Sequence, residues 1–368
     1  MGTDIEIASL SDWIFTNEKP LVIAGPCSAE SEEQLLRTAH EIAKIRQVQV
    51  FRSGIWKPRT RPGEFEGVGY KGLKWLQKVK LETGLKVAIE VAKPEHVEKA
   101  LAHQIDIIWL GARTVVNPFS VQEIAEAIKG NDIPVLVKNP INPDLKLWIG
   151  AIERIHAAGI KNLIAVHRGF HYFERSPFRN APMWEIPIEL KRIAPSLPII
   201  TDPSHICGKR DLIPSISQKA LDFEMDGLMI ESHIDPGHAF TDSSQQLTPS
   251  DLQKLLNDLV IRDKSIDIEF HSKLEELRTE IDKLDGELLQ ILANRLRIID
   301  EIGEFKKEND ITILQMKRWV GIIEDRLAQG THLGLNKEFL QGLLTLIHEE
   351  SIQKQSDIFS NSDKEKNS

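Results

Sequence analysis

The stretch LVIAGPCSAES, residues 21 to 31, decides how the first two-thirds of this chain is read. An apolar, β-rich run ends in a Gly-Pro turn, and a serine followed by acidic residues then opens a helix, so the order is strand, turn, helix. Cys27 stands at the junction and is one of only two cysteines in 368 residues. A free cysteine packs like a small hydrophobe, and it is also a metal ligand. Both readings stand until its neighbours are known.

The same grammar recurs along the chain. The runs VQVFRSG ending near Ser53, KVAIEV at Val91, IDIIWLG near Leu110, PVLVKN near Lys138, NLIAVHRG near His167, PIITDPS near Pro203 and GLMIES near Ser232 each precede a helical stretch. Continuous apolar runs, rather than alternating ones, mark strands buried on both faces of a parallel sheet. Eight of them is the number that closes a (β/α)8 barrel, the TIM barrel. A doubly wound open sheet is the competing architecture. The polar residues favour the barrel, because nearly every run ends in a group costly to place there without a purpose. In order these are Cys27, then Arg52 with Lys57 and Arg59, Glu90, Arg113, Lys138, Arg168, His205, and Glu231 with Asp242. Barrel sites are built from the C-terminal strand ends, so these residues would converge on one mouth.

Composition narrows the function. A net charge of -9 argues against a nucleic-acid partner, which calls for a basic face. Two cysteines cannot make a disulfide scaffold, MGTDIEIASLSDW does not read as a signal peptide, and no run approaches the roughly 20 apolar residues of a membrane helix. The expectation is a soluble cytoplasmic protein of two domains.

The strand-end residues sort into two chemical sets. Cys27, His205, Glu231 and Asp242 offer a sulfur, a nitrogen and two carboxylates, which suits a borderline divalent ion of the Mn, Fe, Co or Zn type better than Ca or Mg. Arg52, Lys57, Arg59, Arg113, Lys138 and Arg168 are cations that repel one another unless the ligand carries phosphate and carboxylate groups. Singly, each of these residues reads as readily as a structural or solvated side chain, and only the joint pattern points to a site. His167 and His171 would have metal spacing on a helix, but Gly169 between them argues for a loop.

GPCS, KPRT (57 to 60), GAR (111 to 113), DPSH (202 to 205) and GLMIESHIDPGHAFTD (227 to 242), in this order between about Pro20 and Leu259, resemble 3-deoxy-D-arabino-heptulosonate 7-phosphate (DAHP) synthase of the short type. The resemblance implies a barrel over residues 1–262 with Cys27, His205, Glu231 and Asp242 as metal ligands. It also implies that Arg52, Lys57, Arg113, Lys138 and Arg168 hold phosphoenolpyruvate and that Arg59 and Thr60 hold erythrose 4-phosphate. The chemistry of such a condensation makes Lys57 the candidate for handling a proton between the substrates. HRGFH replaces the family's usual Glu-Arg-Gly, and RPGEFEG follows KPRT in place of the commoner Ser-Pro.

After Leu259 the composition changes. An apolar rhythm near 3.6 residues from Leu274 through Ile302 predicts one helix of about 35 residues, followed by helices over about Gln315 to Ala328 and Lys337 to Ile358. So long a helix needs a partner surface, hence a homodimer or a higher homo-oligomer. Arg295 and Lys306 are eleven residues apart and share a face, while Arg278 lies about 100° away on the helical wheel, so it would enter a common pocket only from another chain. SNSDKEKNS predicts a disordered tail over 359–368.

LRTEIDKLDGELLQILANRLRIIDEIGEFK and EESIQKQ resemble the all-helical chorismate mutases. The resemblance covers about Glu269 to Ile358 within a domain placed at 263–358. It implies that Arg278, Arg295 and Arg318 meet the carboxylates of chorismate, that Ser351 belongs to the same site, and that Lys306 and Gln355 meet its ether oxygen. Gln315 and Trp319 stand where the family tends to have acids. The expected function is therefore bifunctional, a synthase joined to a mutase. The alternatives are a synthase whose helices only sense chorismate or prephenate, and a related sugar-acid phosphate synthase acting on a different aldehyde, against which KPRT speaks.

Overall fold

A computed structural model describes residues 7–8, 10, 20–57, 63–173, 176–262, 268–314 and 316–365, with the backbone alone for 268–272, 316–318 and 361–365. The chain divides into two compact units, Met1–Arg262 and Asp263–Ser368.

In the first unit eight strands close a parallel barrel in chain order. They are β1 (Leu21–Gly25), β2 (Val50–Arg52), β3 (Lys86–Val91), β4 (Ile107–Leu110), β5 (Val135–Lys138), β6 (Leu163–His167), β7 (Ile199–Thr201) and β8 (Gly227–Glu231). Closure rests on β1 pairing with β8 from Leu21↔Gly227 to Gly25↔Glu231, which excludes the open sheet. The outer layer is α1 (Glu32–Ala43), α2 (Lys71–Thr83), α3 (Pro94–Ala102), α4 (Pro118–Ile128), α5 (Leu145–Ala157), α6 (Glu185–Ile193), α7 (Ile213–Asp222) and α8 (Pro249–Asp258).

Alternate strand residues serve two cores, which is why the runs read as continuously apolar. Leu21, Ile23, Val50, Ile107, Trp109, Leu136, Ile164 and Met229 fill the barrel interior, whereas Val22, Ala24, Phe51, Val87, Ile108 and Val135 pack outward against the helices. Local chemistry starts the helices. Ser31 Oγ accepts from Gln34 N, Asp144 from Leu147 N and Thr248 from Asp251 N, each satisfying an otherwise unpaired first-turn N–H.

The second unit is α9 (Ile268–Glu308, 41 residues), α10 (Met316–His332) and α11 (Lys337–Glu365). Each outlasts its expected span. The polar residues expected to form a disordered tail continue α11 as far as Glu365, since extending an existing helix adds one hydrogen bond for each residue fixed; residues 366–368 lie outside the described part. Among the exposed apolar side chains on α9, Leu277, Ile281, Leu284, Leu288, Ile291, Ile298, Ile302 and Phe305 form one series, with Leu289 beside it. Their spacing of alternately four and three residues, skipping only Arg295, is the 3.5-residue repeat of a helix built to pack against another.

Candidate active sites

Barrel closure brings Cys27 to Glu231 across 204 positions, because Gly25 pairs with Glu231 at the β1–β8 seam. Gly25 is obligatory there. Its φ is +152°, and a Cβ on it would lie 2.0 Å from the Arg52 carbonyl oxygen. Donor atoms of Cys27, Glu231 and Asp242 all lie within 4.8 Å of one another. His205 joins through Glu231, with Nε2 3.7 Å from Oε1. Its Nδ1 faces Asp202 Oδ2 at 2.8 Å, which orients the ring. Asp242 has a left-handed backbone, φ 48°, a strained conformation for a residue other than glycine.

The electrostatics of the cluster suit a candidate cation site. Burial and then the Glu231 charge push the Cys27 thiol up to about 12, so it is protonated and donates to Asp242 Oδ2 at 3.3 Å. His205, Arg52 and Lys57 hold the fully buried Glu231 below the usual carboxylate range against the effect of burial itself. Glu231 Oε1 is buried without a hydrogen-bond partner. A thiol, an imidazole and two carboxylates converging with an orphaned carboxylate oxygen fit a borderline divalent ion.

A cleft of about 290 Å3 opens beside the cluster, lined among others by Lys57, Arg113, Lys138, Arg168, Arg179 and Glu90. Lys57 Nζ is 3.2 Å from Cys27 Sγ. Lys138 Nζ, almost fully buried, bonds Asp202 Oδ2 at 2.8 Å. Arg52 does not line the cleft. Its guanidinium lies beneath, 3.4 Å from Glu231 Oε1 and stacked 4.9 Å above the Trp109 ring, with Nε and Nη1 still lacking hydrogen-bond partners. Arg59 and Thr60 lie outside the described residues.

Several groups here escaped the sequence reading. Arg179 bonds Asp242 Oδ1 and Gln245 Oε1, both at 2.8 Å. Gln245 in turn donates to Glu231 Oε2 at 2.7 Å, and Gln246 accepts from the Cys27 N–H at 2.8 Å. Asn180 accepts from Arg168 Nη1 at 2.9 Å and donates to the His205 carbonyl at 2.6 Å, tying a cleft cation to the cluster. Asn139 accepts from the Arg168 N–H at 2.7 Å. Only Asp202 left a trace in sequence, inside DPSH. His167, by contrast, is buried in the fold, its Nε2 on the Pro182 carbonyl at 2.6 Å. Gly169 follows with φ 75°, in a loop rather than a helix.

In the helical unit a pocket of about 420 Å3 is lined by Arg295, Lys306, Trp319, His348, Ser351 and Gln355 together with apolar residues. Arg295 Nη1 donates to Ser351 Oγ at 2.6 Å, and Lys306 Nζ donates to Gln355 Oε1 at 3.0 Å and to the Ile313 carbonyl at 2.5 Å. Gln355 Nε2 donates to the Ser351 carbonyl at 3.0 Å. Arg278 points elsewhere and pairs with Glu275. Seventeen residues from Arg295 at 1.5 Å per residue, it stands roughly 25 Å along the helix. Arg318 lies on α10, and its side chain is outside the description.

Fold and site together define a barrel enzyme for strongly anionic small molecules, followed by a helical unit with its own cationic pocket. The profile of the DAHP synthetase I family matches residues 6–266, and that of chorismate mutase type II matches residues 277–356. The chain belongs to the DAHP synthetase I family and carries a chorismate mutase type II domain. It is 34% identical over 241 residues to a phospho-2-dehydro-3-deoxyheptonate aldolase of Thermotoga maritima, covering 66% of this chain and 69% of that one. It is 27% identical over 263 residues to a 2-dehydro-3-deoxyphosphooctonate aldolase of a Synechococcus strain, covering 66% and 88%. A crystal structure of the DAHP synthase of Thermotoga maritima superposes with TM-score 0.59 at 32% identity, over 65% of this chain and 67% of that one.

Proposed function

We propose that the barrel condenses phosphoenolpyruvate with erythrose 4-phosphate to DAHP and phosphate, and that the helical unit rearranges chorismate to prephenate. The thiol–carboxylate cluster beside a cleft lined by five cations (Lys57, Arg113, Lys138, Arg168 and Arg179) carries the first half of this reading.

Cys27, His205, Glu231 and Asp242 would hold a divalent ion of the Mn, Fe, Co or Zn type, which supplies a Lewis acid for the aldehyde oxygen. The cations do the positioning. Arg113, Lys138 and Arg168 take the phosphate and carboxylate of phosphoenolpyruvate, while Arg52, beneath Glu231, adds positive charge from below. Arg59 and Thr60 are assigned to erythrose 4-phosphate on the resemblance of KPRT alone. Phosphoenolpyruvate is a weak carbon nucleophile, so holding its carbon against the aldehyde carbon removes much of the entropic barrier. As that bond forms, positive charge develops at the enol-ether carbon, water adds there and phosphate leaves. Lys57, which lines the cleft 3.2 Å from Cys27 Sγ, would handle the proton.

For chorismate the protein need supply no covalent help. Arg295, with Arg318 and a second copy's Arg278, fixes the diacid in its reactive chair. Lys306 and Gln355, already bonded to each other, face the ether oxygen where negative charge grows. The exposed 3.5-residue seam of α9 supports a homodimer as the source of Arg278. Among the described residues no helix is long and apolar enough to cross a membrane, and two free cysteines suit a reducing cytoplasm.

Assaying the purified chain for both reactions with and without a chelator tests the reading. Both activities are expected, with the synthase alone lost on chelation. Absence of phosphoenolpyruvate- and erythrose 4-phosphate-dependent phosphate release in metal-replete protein overturns the first half, and absence of chorismate turnover overturns the second.

A further inference from the structure

Among the described residues lining the mutase pocket is a histidine that the reading above leaves unused. His348 is on α11, three residues before Ser351 and seven before Gln355, so all three share one helix face and all three line the cavity. Its ring is stacked on Trp319 of α10, with centroids 3.4 Å apart and planes within 8°. That stack fixes the imidazole plane and leaves its edge as the functional part. The Nε2 atom at that edge is out of contact with solvent and has no hydrogen-bond partner among the described residues. A buried donor or acceptor left unsatisfied costs about 1–3 kcal/mol, so an unpartnered nitrogen in a pocket-lining side chain points to a partner that arrives with the ligand.

Chorismate, on the proposed reading, presents four polar features to this pocket: two carboxylates, an ether oxygen and a ring hydroxyl. The arginines are matched to the carboxylates, and Lys306 with Gln355 to the ether oxygen. Among the described residues the hydroxyl has no other counterpart: Trp319 stands where related mutases tend to carry an acid, and Gln315, at the other such position, lies outside the described residues. We propose that His348 replaces those acids and hydrogen-bonds the ring hydroxyl through Nε2, while Trp319 serves as the platform that holds the imidazole in place. A hydroxyl both donates and accepts, so it matches Nε2 in either tautomer of a neutral ring. Burial, followed by the nearby Arg295 charge, lowers the histidine's pKa below its ordinary value and keeps it neutral at pH 7.

This inference rests on the pocket being the chorismate site, and the test separates the two. Full-length wild-type, His348→Leu and His348→Gln proteins are compared for chorismate turnover and for competitive inhibition by an analogue with hydrogen in place of the ring hydroxyl. His348→Leu should lower kcat/KM for chorismate roughly 10- to 100-fold and change the analogue's inhibition constant less than about twofold, the pattern of one lost polar contact. His348→Gln, which keeps a donor and an acceptor, should recover part of the loss. Equal weakening of substrate and hydroxyl-free analogue, with no rescue by glutamine, assigns His348 to packing and overturns the proposal. A wild-type protein that turns over no chorismate overturns the reading of the pocket instead. Synthase activity, measured on the same samples, reports that each variant is folded.

Discussion

Cys27 shows how a small side chain acquires chemistry from its surroundings. Burial and the Glu231 charge keep its thiol neutral at about 12, and binding a cation requires giving up the proton that now goes to Asp242. Cys27→Ala removes the proposed ligand while leaving little more than a methyl-sized gap. It should lower synthase turnover at least about a hundredfold, since a Lewis acid contributes several kcal/mol of charge stabilisation, and leave chorismate turnover unchanged; full metal-dependent activity in this variant would refute the ligand assignment. His167 offers a test of the fold beneath the site. Burial holds its pKa at about 4, below the ordinary 6.5. A histidine depressed in the folded state contributes stability that is present above pH 6.5 and lost as pH falls from there toward 4, about 3 kcal/mol at the limit. The barrel's urea midpoint should therefore drop between pH 7 and pH 4.5 more steeply in wild type than in His167→Asn, and parallel profiles would remove His167 from the account. The metal-ligand candidates were legible because each is a costly residue at a strand end. Arg179, Asn180 and Gln245 were not. Their partners Asp242, His205 and Glu231 lie 63, 25 and 14 positions away, and no local pattern encodes such pairings.

The elements of the barrel were easier to read than those of the helical unit. Strands buried on both faces give unbroken apolar runs, and all eight expected runs are strands. The end of α11 lacks such signals, because polar residues without Pro or Gly do not announce where a helix stops, whereas α10 has one in the left-handed Gly334, φ 84°, just beyond His332. On α9 the apolar repeat that showed a helix also leaves an exposed seam, the surface that the proposed dimer would cover. Leu288 sits half exposed in the seam, so Leu288→Glu should place two like charges opposite each other in a symmetric dimer and shift the protein toward monomer in sedimentation, with mutase activity falling in parallel. Lys306→Ala should lower chorismate turnover about 10²- to 10³-fold, the scale of one lost donor at a developing negative charge. Mixing after co-refolding makes the two-chain site explicit. Arg278→Ala and Lys306→Ala chains should each be nearly inactive, but a mixed dimer would have one pocket with its own Lys306 and the partner copy's intact Arg278. An equal mixture should regain about a quarter of wild-type mutase activity, from one good site in half of the dimers. No recovery would mean that Arg278 acts within its own chain or not at all.

At the scale of the whole molecule, the question is why a synthase and a mutase share a chain. The mutase consumes chorismate and releases prephenate, both formed downstream of DAHP on the shikimate pathway. A pocket that binds these two diacids would need only a differential affinity for two states of the protein in order to control the barrel. We expect prephenate or chorismate to inhibit the synthase through the helical unit. A ligand shifts an equilibrium by no more than that difference, and typical coupling of about 1–3 kcal/mol corresponds to a roughly 5- to 150-fold change in apparent substrate affinity. The division of the chain into units at Arg262 and Asp263 provides the cut. Synthase rate is measured against prephenate concentration in the intact chain and in a chain ending near Ile266. Inhibition should appear in the intact protein and vanish in the shortened one, provided that the latter is shown to be active and folded. Binding is reciprocal, so saturating phosphoenolpyruvate should weaken prephenate binding to the intact protein by the same factor. Equal prephenate responses in the two proteins, or prephenate binding indifferent to phosphoenolpyruvate, would leave the fusion without a regulatory role.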